Sequence, residues 1–281
     1  MGEANRERTR RQDFIQRHPL CAYCGGPAAT LDHCPPRTFF ESRQWPETYE
    51  FPACEPCNRS SRLDEQALAV LIRSRLTENQ SESNQLEWEK IVHGVKNNQP
   101  HVIAEWMDIT RNKTKKTLRL AFGRDGDRRR QEGWGMANIG PLTQAMISRF
   151  MIKLSKSLYY RHNNHVFDGV LYVNHINLIA RNTTPEYLNG ILKIAPRSPE
   201  IERNRRSLAD QFIYPFNHSP EHRAMYAVVQ FGEQFIFQLI AVSREMDEKL
   251  VETNQGIDLS KIGRHECFLS PSAGEMKDAA E

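Results

Sequence analysis

Apolar positions recur at helical spacing along two stretches of the chain. After Asn58, the residues Leu63, Ala67, Val70 and Leu71 follow i, i+4, i+7, i+8, which puts them on one side of a helix that begins near Ser60 or Ser61. Pro141 opens a longer helix through Leu142, Met146, Ile147, Phe150, Met151, Leu154 and Leu158, because proline suits a first turn, where its missing N–H has no partner to lose. Elsewhere the pattern is that of strands. Residues 101–109, 117–122 and 169–180 read as strands, residues 123–126 as the turn after the second, and residues 224–242 as a hairpin turning at Gly232 and Glu233. Upstream, a brief extended stretch stops at Pro35 and Pro36, where proline ends or bends a strand, and another covers residues 48–52. The predicted fold class is α+β, a small N-terminal module followed by a larger body of mixed helix and antiparallel sheet.

A chain of 281 residues, 39% hydrophobic and 26% charged, can build two modest globular units or one small module joined to a larger body. Residues 1–17 form a basic segment, with Arg6, Arg8, Arg10 and Arg11 partly offset by Glu3 and Glu7. Residues 18–76 form the module, and residues 77–100 are polar, either a linker or an exposed helix. Residues 101–270 form the larger body, of unassigned role, and residues 271–281 a flexible polar tail. Neither a basic-then-apolar leader nor an apolar run of membrane-spanning length occurs, which predicts a cytoplasmic protein with no membrane partner.

The net charge of +3 names no partner, but its distribution is uneven. Arg111, Lys113, Lys115, Lys116, Arg119, Arg124, Arg128, Arg129 and Arg130 crowd a segment whose acids are Asp125 and Asp127. Such a cluster either neutralises phosphates or forms a solvated face. Arg149, Lys153 and Lys156, at i, i+4, i+7, share one helix face and carry the same two readings. The candidate nucleic-acid contacts are Arg59, Arg62, Lys113, Lys115, Lys116, Arg149 and Lys153.

The cysteines change the picture most. Cys21/Cys24 and Cys54/Cys57 are Cys-x-x-Cys knuckles, and that clustering, with no leader, predicts thiolates on a metal instead of disulfides. Four thiolates complete the closed tetrahedral shell of a structural zinc and leave no position for a substrate. A module this small buries little apolar surface, so the metal contributes on the order of 10 kcal/mol of its folding free energy. Cys34 and Cys267 have no knuckle partner and read as small buried hydrophobes.

Between and beside the knuckles stand Asp32, His33 and Asn58, which a structural zinc does not need. Neutral imidazole accepts a proton near physiological pH, which makes His33 a candidate general base. Asp32 is a candidate ligand for a divalent cation that stabilises charge developing on phosphorus, with the Asn58 carbonyl as a second ligand. Plainer roles are a strand-end cap for Asp32, a surface histidine for His33 and a helix N-cap for Asn58. Neighbours in a regular strand face opposite ways, so Asp32 and His33 share a site only if the Pro35-Pro36 bend turns both toward the following helix.

The string Cys21-x-x-Cys24, Asp32-His33-x-Pro35-Pro36, Pro52-Ala53-Cys54-x-x-Cys57-Asn58 and Asp64-Glu65 resembles the HNH endonucleases of the zinc-clamped ββα-metal type, over residues 18–76. The resemblance implies a metal-dependent endonuclease that hydrolyses phosphodiester bonds in DNA, RNA being a further candidate substrate. It implies that His33 activates the attacking water and that Asp32 and Asn58 hold a catalytic Mg2+ or Mn2+, beside the structural Zn2+ on Cys21, Cys24, Cys54 and Cys57. Phage defense and mobile elements are contexts in which such domains occur. The family's middle asparagine is missing, and Tyr49, Glu50 and Phe51 stand there; Glu50 can replace it by accepting a hydrogen bond from His33. Asp64 and Glu65 either touch the metal site or favour the positive end of a helix. The alternative is a catalytically silent, zinc-stabilised nucleic-acid-binding or protein-interaction module.

Overall fold

The computed structural model describes residues 3–74, 81–131, 136–176, 189–190, 193–232, 235–253 and 263–268. Helix α1 (Glu3–Arg17) leads to a two-stranded antiparallel ribbon of β1 (Thr30–His33) and β2 (Glu50–Ala53), followed by α2 (Glu55–Ser60) and α3 (Arg62–Arg73). Then come α4 (Glu82–Asn98), α5 (Pro100–Met107), α6 (Arg111–Phe122), α7 (Asp125–Gln131) and the long α8 (Pro141–Asn163). The rest is mainly sheet: β3 (Val170–Ile176), β4 (Glu202–Arg203), β5 (Arg206–Ser207), β6 (Phe212–Ile213), β7 (Phe216–Ser219), β8 (Ala224–Phe231), β9 (Phe235–Val242), α9 (Arg244–Thr253) and β10 (Gly263–Glu266). A six-stranded antiparallel sheet runs β10-β3-β9-β8-β6, with β7 also on β8. The molecule is α+β, mixed helix and antiparallel sheet, with a four-cysteine cluster in its N-terminal region.

Several predicted elements take a different form. Residues 101–109 and 117–122 were expected as strands, yet α5 and α6 are helices. Pro100 starts α5, and Val102 and Trp106, four apart, are its buried residues. A short apolar run carries too few periods to separate strand from helix, and this one follows the helical rule. Thr110 caps α6 by accepting the Lys113 N–H, which local sequence alone did not reveal. The polar stretch after Ser81 is helix α4, held to α3 where Trp88 Nε1 donates to the Val70 carbonyl at 2.9 Å. Residues 75–80, 177–180 and 269–281 lie outside the described residues.

Helix α8 begins at Pro141, and Glu105 of α5 accepts the N–H groups of Leu142 and Thr143, each at 2.9 Å, together with the Thr143 hydroxyl. That satisfies donors a helix start otherwise leaves open. A Cβ on Gly140 would fall 2.4 Å from the Glu105 carboxylate, so this approach requires glycine.

Among the described residues, the main apolar cluster extends from Cys21 and Phe39 to Phe237 and Cys267. The loop between β1 and β2 enters the core of the large sheet. Phe39 lies 5.0 Å from Phe150 of α8 and 5.4 Å from Phe231 of β8, measured between ring centroids. Tyr49 is 1% exposed, donates its hydroxyl to Tyr214 at 2.8 Å and meets Phe212 edge-on. The cysteine-bearing ribbon therefore shares its hydrophobic stabilisation with the sheet.

Candidate functional site

Cys21 precedes β1, Cys54 directly follows β2, and Cys57 lies in the first turn of α2, so the ends of the ribbon bring the knuckles together. The turn after Cys21 closes through Gly25, whose φ of 76° is available to glycine at little cost. All four sulfurs lie within 4.8 Å of one another, and Cys24 and Cys54 are 3.7 Å apart. A tetrahedron with metal–sulfur bonds of about 2.3 Å has edges of about 3.8 Å, so the four thiols fit an ion such as zinc. A hydrogen bond with Cys57 draws the Cys21 thiol down to about 5, and the same contact pushes Cys57 up. A thiolate is the form that ligates metal. Cys34 lies outside the cluster, buried, and burial pushes its thiol up to about 12.

The ladder pairs Asp32 with Phe51 and His33 with Glu50. Residues opposite one another share a face and neighbours do not. Asp32 and Phe51 accordingly face the core, whereas His33 and Glu50 are half-buried on the other side. The proline bend comes after the strand has ended and does not turn both side chains one way.

On the outer face, His33 Nε2 lies 3.3 Å from Glu50 Oε1 and 2.6 Å from an Arg37 nitrogen. The two contacts ask opposite things of one nitrogen. Protonated, Nε2 donates to Glu50; deprotonated, it accepts from Arg37. The hydrogen bond with His33 lowers the Glu50 carboxyl; burial opposes it and Arg10, 3.1 Å from the other Glu50 oxygen, reinforces it. Arg37 and Arg203 each stack on Trp45 at 3.7 Å, and His33 meets that ring edge-on at 5.0 Å. Arg203 Nε is buried without a hydrogen-bond partner. The face thus gathers Arg10 and Arg37 around one imidazole and one carboxylate, with Arg203 on the adjoining Trp45 ring.

On the inner face, Asp32 is 6% exposed and accepts from Tyr23 Oη at 2.7 Å. Lys153 of α8, 8% exposed, places Nζ 2.6 Å from Asp32 and 2.6 Å from Glu65. Burial works against the Lys153 charge, and the two carboxylates more than compensate, holding its pKa above the ordinary value. Burial raises the Glu65 carboxyl and Lys153 opposes that rise. Asn58 uses its amide nitrogen to tie α2 to β1, donating to Thr30 Oγ1 at 2.9 Å and to the Leu31 carbonyl at 3.2 Å.

These contacts show what engages the expected ligands and nucleic-acid contacts. Asp32 does not fit a catalytic Mg2+ or Mn2+ as it stands, because it already serves an ammonium and a hydroxyl, whereas Asn58 serves as a strap through its amide nitrogen, and its carbonyl oxygen, the expected ligand atom, takes no part in those two contacts. Among the described residues, the four thiols are the only group of three or more His, Cys, Asp or Glu side chains clustered at ligand spacing. Lys153 is interior, and Arg149 holds Asp64 through two nitrogens, at 2.7 and 2.9 Å. Lys156 donates to the Tyr23 carbonyl at 2.7 Å, so Lys153 and Lys156 of the predicted basic stripe turn to the ribbon, while Arg149 pairs with Asp64 from an exposed position. Glu65 meets the Asp32 cluster, while Asp64 serves α8. Arg59 pairs on the surface with Glu55, Arg62 and Lys116 are exposed, Lys115 is half-buried and Lys113 donates to Asn138.

Arg37, Trp45, Arg203 and Tyr23 lie around the candidate residues although the sequence offered none of them as a site residue. Arg37, four positions after His33 and next to the prolines, had a local signal; Arg203 had none. Compared with known proteins, the chain matches no family model, and no curated protein and no solved structure is similar to it.

Proposed function

We propose that the chain is an HNH-type endonuclease that hydrolyses phosphodiester bonds in DNA, with His33 as general base. The observation that carries this reading is the His33–Glu50 pair, 3.3 Å apart on the ribbon beside the four-thiol cluster. Glu50 stands where the family's middle asparagine is missing and holds the imidazolium that forms on proton transfer. A DNA phosphate offers Arg37 a bidentate partner, which frees Nε2 to accept a proton from water. The water oxygen then attacks phosphorus, the bond to the leaving oxygen breaks, and solvent returns a proton to the leaving group. Arg10, Arg37 and Arg203 stabilise the charge on the non-bridging oxygens. Zinc on Cys21, Cys24, Cys54 and Cys57 is the structural metal of this reading. A requirement for Mg2+ or Mn2+ rests on the family resemblance alone, with no support from the donors around Asp32.

The engagement of Asp32 by Lys153 favours a second reading, a silent zinc-stabilised module that binds nucleic acid or protein. One experiment separates the two. Supercoiled plasmid, single-stranded DNA and RNA are incubated with wild type and His33→Ala in Mg2+, Mn2+, Ni2+ and chelator, with zinc content measured in each. The nuclease reading expects nicking that His33→Ala reduces by about 10²–10⁴-fold at unchanged zinc content. Equal nicking by both proteins sinks it, and binding without turnover in every metal establishes the silent module.

A further inference from the structure

Asp32 is the position where the HNH resemblance places a divalent ion, and its surroundings hold a different cation. Lys153 Nζ lies 2.6 Å from Asp32 Oδ2, 2.6 Å from Glu65 Oε1 and 2.7 Å from Ser61 Oγ. An ammonium has three N–H donors, and three oxygens receive them. The oxygens are occupied from the other side as well: Tyr23 Oη donates to Asp32 Oδ2 at 2.7 Å, and Ser61 Oγ to Glu65 Oε1 at 2.7 Å. A divalent ion taking these oxygens would share a buried pocket with a positive charge.

We propose that the Lys153 ammonium is the resident cation between Asp32 and Glu65, that it keeps divalent metal out, and that Asp32 is therefore an ion-pair anchor. Lysine suits the role because an ammonium is a compact point charge with donors in three directions, the protein's own substitute for a hard ion. It reaches the pocket from α8, far outside the motif segment, and joins β1, α3 and α8. This assignment stands whether or not the chain cleaves DNA. Where it does, the charge at phosphorus falls to the arginines around His33.

The test uses the full zinc-loaded chain in buffer freed of other divalent ions, with Mn2+ binding read by electron paramagnetic resonance and stability by thermal melting. Wild type is expected to bind no Mn2+ that depends on Asp32 and to melt at the same temperature with and without Mn2+. Lys153→Met removes the charge while keeping most of the volume. It is expected to gain one Mn2+ site, roughly 10- to 100-fold tighter than any in wild type, the scale on which neighbouring groups tune metal affinity. Its lowered melting temperature should rise with Mn2+, and Asp32→Asn in the same background should remove both effects. A folded Lys153→Met protein with full zinc and no new site overturns the proposal. The wild-type titration stands without that variant: an Mn2+ ion bound by wild type and lost in Asp32→Asn overturns it, and absence of such an ion supports it.

Discussion

Phe39→Ala probes the joint between the cysteine-bearing ribbon and the sheet. Phe39 is 3% exposed, and its ring reaches Phe150 and Phe231 at 5.0 and 5.4 Å. A phenylalanine that buries about 150–250 Å² at about 25 cal/mol per Å² contributes roughly 4–6 kcal/mol, and Phe→Ala substitutions in cores cost about 3–5 kcal/mol. A cost of about 4 kcal/mol is a large part of a domain stability of about 5–15 kcal/mol. The assay is urea unfolding of wild type, Phe39→Ala, Phe231→Ala and the double variant, followed by far-ultraviolet circular dichroism. A shared core predicts one transition in each protein. It also predicts that the double variant loses less than the two single costs together, by about 0.5–1.5 kcal/mol, the worth of one aromatic pair. Additivity within about 0.3–0.5 kcal/mol, or a sheet transition that Phe39→Ala leaves in place, refutes a shared cooperative core.

Other outcomes follow from the same contacts. Each chain should hold one zinc ion by elemental analysis, and Cys54→Ser should abolish it and lower the melting temperature of ribbon and sheet together; full zinc in that variant contradicts the four-thiol site. The Glu50 carboxyl titrates below its ordinary range, so its pairing stabilises the fold above about pH 4.3 and the benefit disappears as pH falls through the lower folded value. The stability difference between wild type and Glu50→Gln should therefore shrink with acid below that point, and a difference that stays flat in urea melts from about pH 3 to 7 rules the pairing out. Glu105→Ala strips the start of α8 of its acceptor and should cost about 1–2 kcal/mol in urea, with Glu105→Gln costing less; no loss in either contradicts the capping role.

How much of this was legible in the sequence depends on how far each signal travels along the chain. Two knuckles reveal a metal cluster because ligand spacing is set within a few residues and the metal does the rest. Helix α8 was legible from Pro141 and its repeating apolar face, and the β8–β9 hairpin from alternation around Gly232. Helix α5 was misread because its short apolar run after Pro100 spans too few periods to separate helix from strand, and α6 because its start signal, the Thr110 cap, lies in local geometry. The inner face of the ribbon was the least legible part. Arg149, Lys153 and Lys156 have the spacing of a solvated basic stripe, and only the fold brings Asp64, Asp32 and the Tyr23 carbonyl against them. Tyr49 stood at the position of a missing motif residue, yet it is bound to Tyr214 in the core, while its neighbour Glu50 points out to His33.

The nuclease reading comes down to whether the proton acceptor on the ribbon's outer face does chemistry. The measurement is the single-turnover nicking rate of supercoiled plasmid by wild type and His33→Ala, matched for zinc content and melting temperature. A loss of about 10²–10⁴-fold in His33→Ala is the predicted result; equal rates, or no nicking by wild type in any metal, contradict the account.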